Sequence, residues 1–267
     1  MARPMALITG ASRGIGAAFA QEFVAAGYNL VLVARSRDSL QQLAADLTSE
    51  FRIEAKVIVQ DLTVSNAAEL VYRQVQAANR PIDVLVNNAG FGAYGDLADL
   101  DRQQQLNMIQ LNVMALVDLT YWCLGDMRSR GQGAIINIAS TAAYQAMPYL
   151  AVYGATKAFV LSFSEALWAE NQPTGVRVLA VCPGPTETQF FQGAKFPDKL
   201  VSQVEQIYLT PEQVAREAIA SLDGNASNLV PGNLLNKLLI NLPRLLPREA
   251  IVGQVAQQFR PPSPSDP

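Results

Sequence analysis

Short apolar runs alternate along the chain with longer stretches in which apolar residues recur at helical spacing. The runs are rich in Val, Ile and Leu, as expected for strands that are buried on both faces of a sheet. They predict strands at 5–9, 29–34, 54–60, 83–87, 134–139, 177–181 and 228–230, with helices at 14–26, 37–50, 66–78, 100–128, 152–170 and 211–222. This alternation predicts an α/β fold, with one parallel sheet of about seven strands and helices on both faces.

One domain is expected to cover residues 1–258, because no repeat or linker interrupts the pattern and 267 residues can form one substantial core. Residues 233–258 are predicted to form a C-terminal helical extension. Residues 259–267 are rich in Pro and Ser and are predicted to be a disordered tail.

The composition narrows the possible chemistry. The net charge of −3 gives no reason to expect nucleic-acid binding. The absence of histidine excludes Ser-His-Asp and Cys-His catalysis and removes the commonest metal ligand, so no metal site is expected. Cys123 and Cys182 lie in apolar stretches and are predicted to be buried reduced thiols, which fits a cytoplasmic protein. No secretory signal or transmembrane span is predicted.

The first predicted strand ends in a glycine-rich turn, which leads into the first predicted helix. The turn reads Thr9-Gly10-Ala11-Ser12-Arg13-Gly14-Ile15-Gly16. Glycine allows the backbone to approach a pyrophosphate closely, and the helix N-terminus supplies N–H donors. The spacing departs from G-x-G-x-x-G, so the standard dinucleotide fingerprint is not literally met. From its place between strand and helix, we predict that the turn binds a nucleotide.

The end of the second predicted strand indicates which dinucleotide is bound. An Asp or Glu here would hold the ribose 2′-hydroxyl of NAD. This chain has Arg35 instead, and Arg13 in the glycine turn supplies a second guanidinium. Two guanidinium groups can hold a 2′-phosphate by charge-assisted hydrogen bonds, so NADP is the predicted cofactor. The alternative is that arginines here are solvated residues at a helix start.

Three side chains suited to proton transfer lie between positions 140 and 157. Tyr153 and Lys157 are four residues apart, which places them on one face of a helix. The ammonium is expected to lower the Tyr153 pKa from its ordinary value of about 10. Ser140 follows a predicted buried strand, at the end where open α/β sheets bind ligands. The alternative is that Tyr153 and Lys157 are merely neighbours on a helix surface.

Taken together, the motifs resemble those of the classical short-chain dehydrogenase/reductase family from Thr9 to about Pro231. Besides the glycine turn, the resemblance rests on Asp61-Leu62, Asn87-Asn88-Ala89-Gly90, Asn112, Ser140, Tyr153 with Lys157, and Pro183-Gly184. It implies a Rossmann-type doubly wound sheet and an NADP(H)-dependent oxidoreductase. It also implies hydride transfer between nicotinamide and a carbonyl or secondary alcohol, in a homodimer or homotetramer.

The resemblance also implies residue roles. Tyr153 would be the general acid/base, Ser140 would hydrogen-bond the same substrate oxygen, Lys157 would hold the nicotinamide ribose, and Asn112 would position a relay water. The implied cofactor contacts are Gly10, Ser12, Arg13, Gly14, Ile15, Gly16, Arg35, Asp61, Leu62, Asn87, Ala89, Gly90, Tyr153, Lys157, Pro183, Gly184, Thr186 and Thr188.

Substrate selection would fall to loops at 91–95, 141–150 and 188–209. These loops carry aromatic residues and few charges, which predicts an apolar ketone or aldehyde as the substrate in the reductive direction. A 3-oxoacyl thioester reductase, a hydroxysteroid or retinoid-type dehydrogenase and a general carbonyl reductase remain open. So does a non-catalytic NADPH-binding regulator, although a regulator has no need of the four catalytic residues.

A leucine stripe follows the last predicted strand. Leu234, Leu235, Leu238, Leu239 and Leu242 recur at helical spacing. The stripe is interpreted as a packing face for a substrate lid or a subunit partner. Peripheral membrane contact through residues 233–246 is the alternative.

Overall fold

Seven parallel strands form one sheet in the computed structural model, which describes residues 3–77, 80–205, 208–232 and 247–261. The strands are β1 Met5–Thr9, β2 Asn29–Ala34, β3 Ala55–Val59, β4 Val84–Asn87, β5 Gly133–Ile138, β6 Val176–Val181 and β7 Asn228–Leu229. Their order across the sheet is β3-β2-β1-β4-β5-β6-β7, and every pairing is parallel. The predicted α/β sheet is therefore confirmed.

Helices connect the strands and cover both faces of the sheet. They are α1 Gly14–Ala25, α2 Arg37–Phe51, α3 Ala67–Gln76, α4 Arg102–Ile109, α5 Leu116–Arg130, α6 Ala151–Asn171, α7 Phe190–Gly193, α8 Asp198–Glu205, α9 Pro211–Ser221 and α10 Arg248–Gln258. Polar residues at helix starts set some of these boundaries. The Thr210 hydroxyl accepts a hydrogen bond from Gln213 N at 3.1 Å, and Pro211 follows as the first residue of α9.

Each face of the sheet has its own apolar layer. Neighbouring residues of a strand point to opposite faces, so both must be apolar where helices cover both sides. In β1, Ile8 packs in one buried cluster with Phe19 and Phe23 of α1. The adjacent Leu7 packs in another with Leu119 of α5. This explains why the strands read as continuous apolar runs.

The strand order reverses between β1 and β4. β1 pairs with β2 on one side and with β4 on the other. Chain connections leave the two halves of the sheet in opposite directions here, which opens a crevice at the carboxyl ends of the strands. The segments that follow β1, β4, β5 and β6 meet at this edge.

The predicted helix 100–128 is more complex in the structure. α4 and α5 are joined without a break by a π-helix, Gln110–Ala115, which contains Asn112. Among the described helices, this continuous segment, Arg102–Arg130, is long and apolar enough to cross a membrane by length and composition alone. Its α5 part contacts α3, β4 and β5, as a core helix does.

The predicted C-terminal segments lie only in part within the described residues. The leucine stripe at 233–246 and residues 262–267 lie outside them. α10 occupies the described portion of the predicted extension. Phe259 falls within the segment predicted to be a disordered tail, but its carbonyl oxygen accepts a hydrogen bond from the Tyr94 hydroxyl at 2.8 Å.

Replacing Gly16 by Ala is expected to destabilise the protein. A Cβ at position 16 would lie 2.3 Å from the Gly10 carbonyl oxygen, and backbone cannot move aside cheaply. We expect the free energy of unfolding to fall by about 1–3 kcal/mol, measured by urea denaturation. Gly125→Ala is the matched control, because Gly125 lies in α5 and a Cβ there would have open space around it. It should raise stability by roughly 0.5–1 kcal/mol. Equal effects of the two substitutions would contradict this packing.

Candidate active site

Tyr153, Ser140 and Lys157 converge on one cleft at the carboxyl edge of the sheet. α6 carries Tyr153 and Lys157, and the Lys157 Nζ lies 5.8 Å from the centroid of the Tyr153 ring. Ser140 follows β5, where its Oγ accepts a hydrogen bond from Ala142 N at 3.1 Å and caps a short 3₁₀ helix, Thr141–Tyr144. Ser140 also hydrogen-bonds Tyr153. The structure thus brings together the three residues singled out for proton transfer.

Lys157 is a buried cation. Its side chain is only 5% exposed, and the Nζ donates a hydrogen bond of 2.7 Å to the carbonyl oxygen of Ile138, the last residue of β5. Burial disfavours the charged form and lowers the Lys157 pKa to about 8. The amine can therefore exchange a proton close to neutral pH.

The expected lowering of the Tyr153 pKa is wrong for this structure. Burial raises the Tyr153 pKa to about 12, and the hydrogen bond with Ser140 only partly opposes the rise. The helical spacing overstated the influence of Lys157, because its ammonium lies 5.8 Å from the ring centroid and is held by Ile138. The phenol is therefore protonated at neutral pH.

The Asn112 side chain ties the segment after β4 to α6. Its Nδ2 donates to Phe91 O at 3.0 Å and to the Thr156 hydroxyl at 3.1 Å, while its Oδ1 accepts from Phe91 N at 3.1 Å. The Thr156 hydroxyl in turn donates to Tyr153 O at 2.7 Å. Both amide hydrogens of Asn112 are thus engaged with the protein. Sequence reasoning missed Thr156, whose one signal is its place beside Lys157.

The glycine turn packs tightly on the segment after β4. Gly10 and Gly14 have positive φ angles of 64° and 54°, which favour glycine. The Asn88 Nδ2 donates to Thr9 O at 2.9 Å, and a Cβ at Gly16 would lie 2.6 Å from the same nitrogen. The turn therefore presents backbone at the cleft in front of the N-terminus of α1.

The two arginines expected to bind a 2′-phosphate both line the cleft, and each has its own partner. The Arg13 guanidinium donates a hydrogen bond to the Gln189 side chain, on the segment after β6. An Arg35 Nη1 lies 4.0 Å from Asp61 Oδ2, with both side chains well exposed. Gln189 was missed because its partner is 176 residues away in sequence.

Asp61 is held by its own loop. Its Oδ1 accepts hydrogen bonds from the backbone N and the hydroxyl of Thr63, at 2.9 Å and 2.8 Å. Partial burial acts to raise the Asp61 pKa, but the Thr63 hydrogen bonds and the charge of Arg35 hold it below its ordinary value. The neighbouring Leu62 is buried. Asp61 therefore presents an oriented carboxylate at the cleft.

Asn87 belongs to a buried polar network rather than to the cleft surface. Its Nδ2 donates to Asn137 Oδ1 of β5 and to the Thr120 hydroxyl of α5, both at 2.9 Å. The Asn137 Nδ2 continues the network to Ser164 Oγ of α6 at 2.9 Å. Asn87 was implied as a cofactor contact, but the structure places it behind the cleft, where its bonds hold β4, β5 and α5 together. Sequence reasoning missed Asn137, which sits within an apolar run.

Ala89 and Gly90 both line the cleft. A Cβ at Gly90 would lie 2.9 Å from Asn112 Oδ1 and 3.5 Å from Lys157 Nζ. The missing side chain at position 90 therefore leaves room for the groups that surround Lys157.

The segment after β6 reaches both Ser140 and the glycine turn. Pro183 O accepts a hydrogen bond from Thr141 N at 2.9 Å, and the Thr186 hydroxyl donates to Gly184 O at 3.0 Å. The Thr188 Cγ2 lies 3.0 Å from the place where a Cβ of Gly14 would be. All but three of the predicted site residues line the cleft; Gly16, Asn87 and Asn112 lie behind its surface.

The cleft has a volume of about 1270 Å³ and an aromatic wall. Large apolar and aromatic side chains of the three predicted substrate loops line the cleft; they are Phe91, Tyr144, Met147, Phe190, Phe191 and Phe196. Tyr94 and Tyr149 belong to the same loops but do not line it. The Tyr94 ring packs behind them, 4.9 Å from that of Phe196. The charged residues of the third loop are not part of the lining; they are Lys195, Asp198, Lys199 and Glu205.

The cysteines take no part in a metal site. Cys123 and Cys182 are both free and buried, as predicted, and burial raises the pKa of each thiol, that of Cys182 to about 12. Across the ranges that the structure describes, no group of three or more His, Cys, Asp or Glu residues could hold a metal ion.

Comparison with known proteins gives the family. The model of the short chain dehydrogenase family matches residues 4–197. The chain belongs to this family. It is therefore an oxidoreductase that acts on CH–OH or C=O groups, and the resemblance found in its motifs is confirmed.

Named relatives share much of the chain. A very-long-chain 3-oxoacyl-CoA reductase of Anas platyrhynchos is 34% identical over 224 residues, which span 81% of this chain and 68% of that protein. Sulfoacetaldehyde reductase 2 of Chromohalobacter salexigens is 39% identical over 186 residues, 69% and 73% of the two chains. The structure of a short-chain dehydrogenase from Sphingobium yanoikuyae in complex with NADPH superposes with a TM-score of 0.80 at 30% identity, and covers 99% and 98% of the two chains.

The burial of Lys157 should make the free energy of unfolding depend on pH. Its pKa is about 8 when folded and 10.5 in its ordinary state. Between these values the unfolded chain binds more protons than the folded one, so stability rises with pH. The difference in unfolding free energy between wild type and Lys157→Met, both without ligand, should therefore shift in favour of wild type from about pH 8 to about pH 10.5.

Urea denaturation of both proteins at several pH values measures this difference. The comparison cancels the titration of every group that the two proteins share. A difference that stays flat with pH, or shifts towards the variant, would contradict the assigned burial of the charge.

Proposed function

We propose that this protein is an NADP(H)-dependent reductase of apolar ketones or aldehydes, with Tyr153 as the general acid. The observation that carries this proposal is the meeting of a protonated phenol, the Ser140 hydroxyl and the Lys157 ammonium in one cleft. The cleft also contains a glycine turn at a helix N-terminus.

The residues present fit NADP. The glycine turn lines the cleft at the N-terminus of α1 with Gly10, Ser12, Arg13, Gly14 and Ile15. Backbone N–H groups there could approach a pyrophosphate. Protein atoms fill the Cβ positions of Gly10 and Gly16, 2.8 Å and 2.3 Å away, so the fold of the turn needs glycine at both. Arg13 and Arg35 would hold the 2′-phosphate, and Asp61 would accept from the adenine amino group. The NADPH complex of the Sphingobium relative supports this choice. When bound, the cofactor supplies the hydride.

The protein's own residues would stabilise the substrate oxygen and supply its proton. Tyr153 and Ser140 would both donate hydrogen bonds to the carbonyl oxygen, and Tyr153 would transfer its proton as that oxygen gains negative charge. Lys157, with a pKa of about 8, would hold the nicotinamide ribose and return a proton towards Tyr153. Asn112 and Thr156 would keep the segment after β4 fixed against α6.

The charge state of Tyr153 supports reduction. With a pKa of about 12, the phenol carries its proton at neutral pH and is ready to donate it. Oxidation of an alcohol needs the phenolate, which becomes abundant only at high pH. We therefore propose the reductive direction.

The aromatic wall supports an apolar substrate. Among the described residues, the charged groups that line the cleft are Arg13, Arg35, Asp61, Asp101 and Lys157. Three of these are assigned to the cofactor and one to the reaction, which leaves little charge for a substrate. A 3-oxoacyl thioester reductase is a second candidate, favoured by the Anas relative. A long acyl chain would also suit an aromatic wall.

Tyr153→Phe is expected to keep NADPH binding and to lower turnover by about a hundredfold to ten-thousandfold, because the proton donor is lost. A panel of ketones, aldehydes and 3-oxoacyl thioesters, followed by NADPH oxidation, measures turnover and also ranks the two substrate classes. Tyr149→Phe is the control, because its hydroxyl lies outside the cleft lining. Retention of most activity by Tyr153→Phe would contradict the role of Tyr153 as the general acid. Binding of NADPH by wild type without turnover of any substrate in the panel would instead favour a non-catalytic NADPH-binding regulator.

Arg35→Ala is expected to weaken NADPH binding about tenfold or more while NADH binding changes less than about twofold, because only NADPH carries the 2′-phosphate. Titration of cofactor fluorescence gives both dissociation constants. Arg37→Ala is the matched control, since Arg37 lies in α2 and does not line the cleft. Equal losses for both cofactors in Arg35→Ala would contradict the role of Arg35.

A further inference from the structure

We propose that Phe190 sets the size of the substituent that the carbonyl substrate can carry, and that Gly92 provides the space that holds the Phe190 ring. This inference rests on the proposed function and assigns its specificity to a particular contact.

Gly92, Phe190 and Tyr153 meet at one point in the cleft. The ring centroids of Phe190 and Tyr153 are 5.1 Å apart, with an interplanar angle of 48°. A Cβ on Gly92 would lie 2.7 Å from Phe190 Cζ and 3.3 Å from Tyr153 Cδ2. The Phe190 ring therefore occupies the notch that a missing side chain leaves beside the catalytic phenol.

The backbone around Phe190 is held at both ends of α7. Phe190 N donates to the Thr188 hydroxyl at 3.3 Å, and Phe190 O accepts from Ala194 N at 2.9 Å. Ala194 O then accepts from Tyr94 N at 3.0 Å, which joins α7 to the segment after β4. The position of the ring is thus set by backbone hydrogen bonds to two neighbouring segments.

Other aromatic rings limit the movement of Phe190. Its centroid lies 5.6 Å from that of Phe191 and 6.4 Å from that of Phe196. The Phe191 and Phe196 rings are themselves 5.0 Å apart. A ring packed in this way resists displacement by a substrate.

This placement has a consequence for the substrate. The carbonyl oxygen must reach the Tyr153 hydroxyl, so a substituent that extends along the Tyr153 ring towards Gly92 meets Phe190. In an apolar pocket, one methylene more or less changes kcat/KM by about 10- to 200-fold. Phe190 exchanges no proton and is a specificity-determining residue.

A series of phenyl alkyl ketones tests the inference. Acetophenone, propiophenone and butyrophenone share one reacting group and differ only in the alkyl substituent. The measured quantity is the ratio of kcat/KM for butyrophenone to kcat/KM for acetophenone. Because both values come from one preparation, a loss of folded protein cancels from the ratio.

The variants should move this ratio in opposite directions. Phe190→Ala should raise it about tenfold or more, and Phe190→Leu should raise it less. Gly92→Ala should lower it, because the added Cβ pushes the Phe190 ring towards the substrate. In the double variant, Phe190→Ala removes the ring that Gly92→Ala would displace, so the ratio should return to the wild-type value or exceed it.

Gln192→Ala is the matched control in the same short helix. Gln192 is exposed and does not line the cleft, so the substitution leaves Phe190 and its aromatic neighbours in place. The ratio should stay within about twofold of the wild-type value. An equal rise in Gln192→Ala would show that a change anywhere in α7, rather than loss of the Phe190 ring, sets the size limit, and would overturn the inference.

Two failures are distinguishable. If wild type reduces the ketones but Phe190→Ala and Gly92→Ala leave the ratio unchanged, the inference is wrong and the proposed function stands. If wild type reduces none of these ketones, the proposed preference for apolar ketones is wrong. The inference about Phe190 is then wrong as well, because it rests on that preference.

Discussion

The hydrogen bond from the Lys157 ammonium to the Ile138 carbonyl oxygen, 2.7 Å long, is the interaction on which the site depends. A buried amine is costly unless its charge is compensated. Here compensation comes from the end of β5, which fixes α6 against the carboxyl edge of the sheet. Gly90 lies beside this contact, and a Cβ there would lie only 2.9 Å from Asn112 Oδ1, so the absence of a side chain leaves room for Asn112 next to Lys157. The remaining cost appears in the Lys157 pKa, which falls to about 8.

Buried polar bonds hold the strands and helices that present these groups. Asn87 of β4 bonds to Asn137 of β5, and Asn137 bonds to Ser164 of α6. A second connection, from Asn112 through Thr156 to the backbone of Tyr153, joins the π-helix to the start of α6. Each bond satisfies a group that would otherwise be unpaired inside an apolar core. Because these bonds cross between elements, a shift of α6 relative to the sheet would break several of them at once.

Local patterns predicted the parts of the structure that local physics controls. Apolar runs located the strands, because both faces of a parallel sheet are covered. Glycines at 10, 14 and 16 marked a turn that only glycine tolerates. Spacing also placed Tyr153 and Lys157 on one helix face. The sign of the Tyr153 pKa shift could not be found in this way, since it depends on burial by segments distant in sequence. The partnership of Arg13 with Gln189 was hidden for a related reason, since the two residues are 176 positions apart in sequence.

The proposed proton transfer requires Tyr153 to be a phenol that remains protonated at neutral pH. The most direct measurement is the titration of ¹³Cζ-labelled tyrosine by NMR in the protein without ligand, with Tyr153→Phe used to assign the Tyr153 signal. The structure predicts that this signal keeps its phenol shift beyond pH 10, in line with a pKa of about 12. A Tyr153 signal that moves to the phenolate shift near pH 7 or 8 would contradict the account.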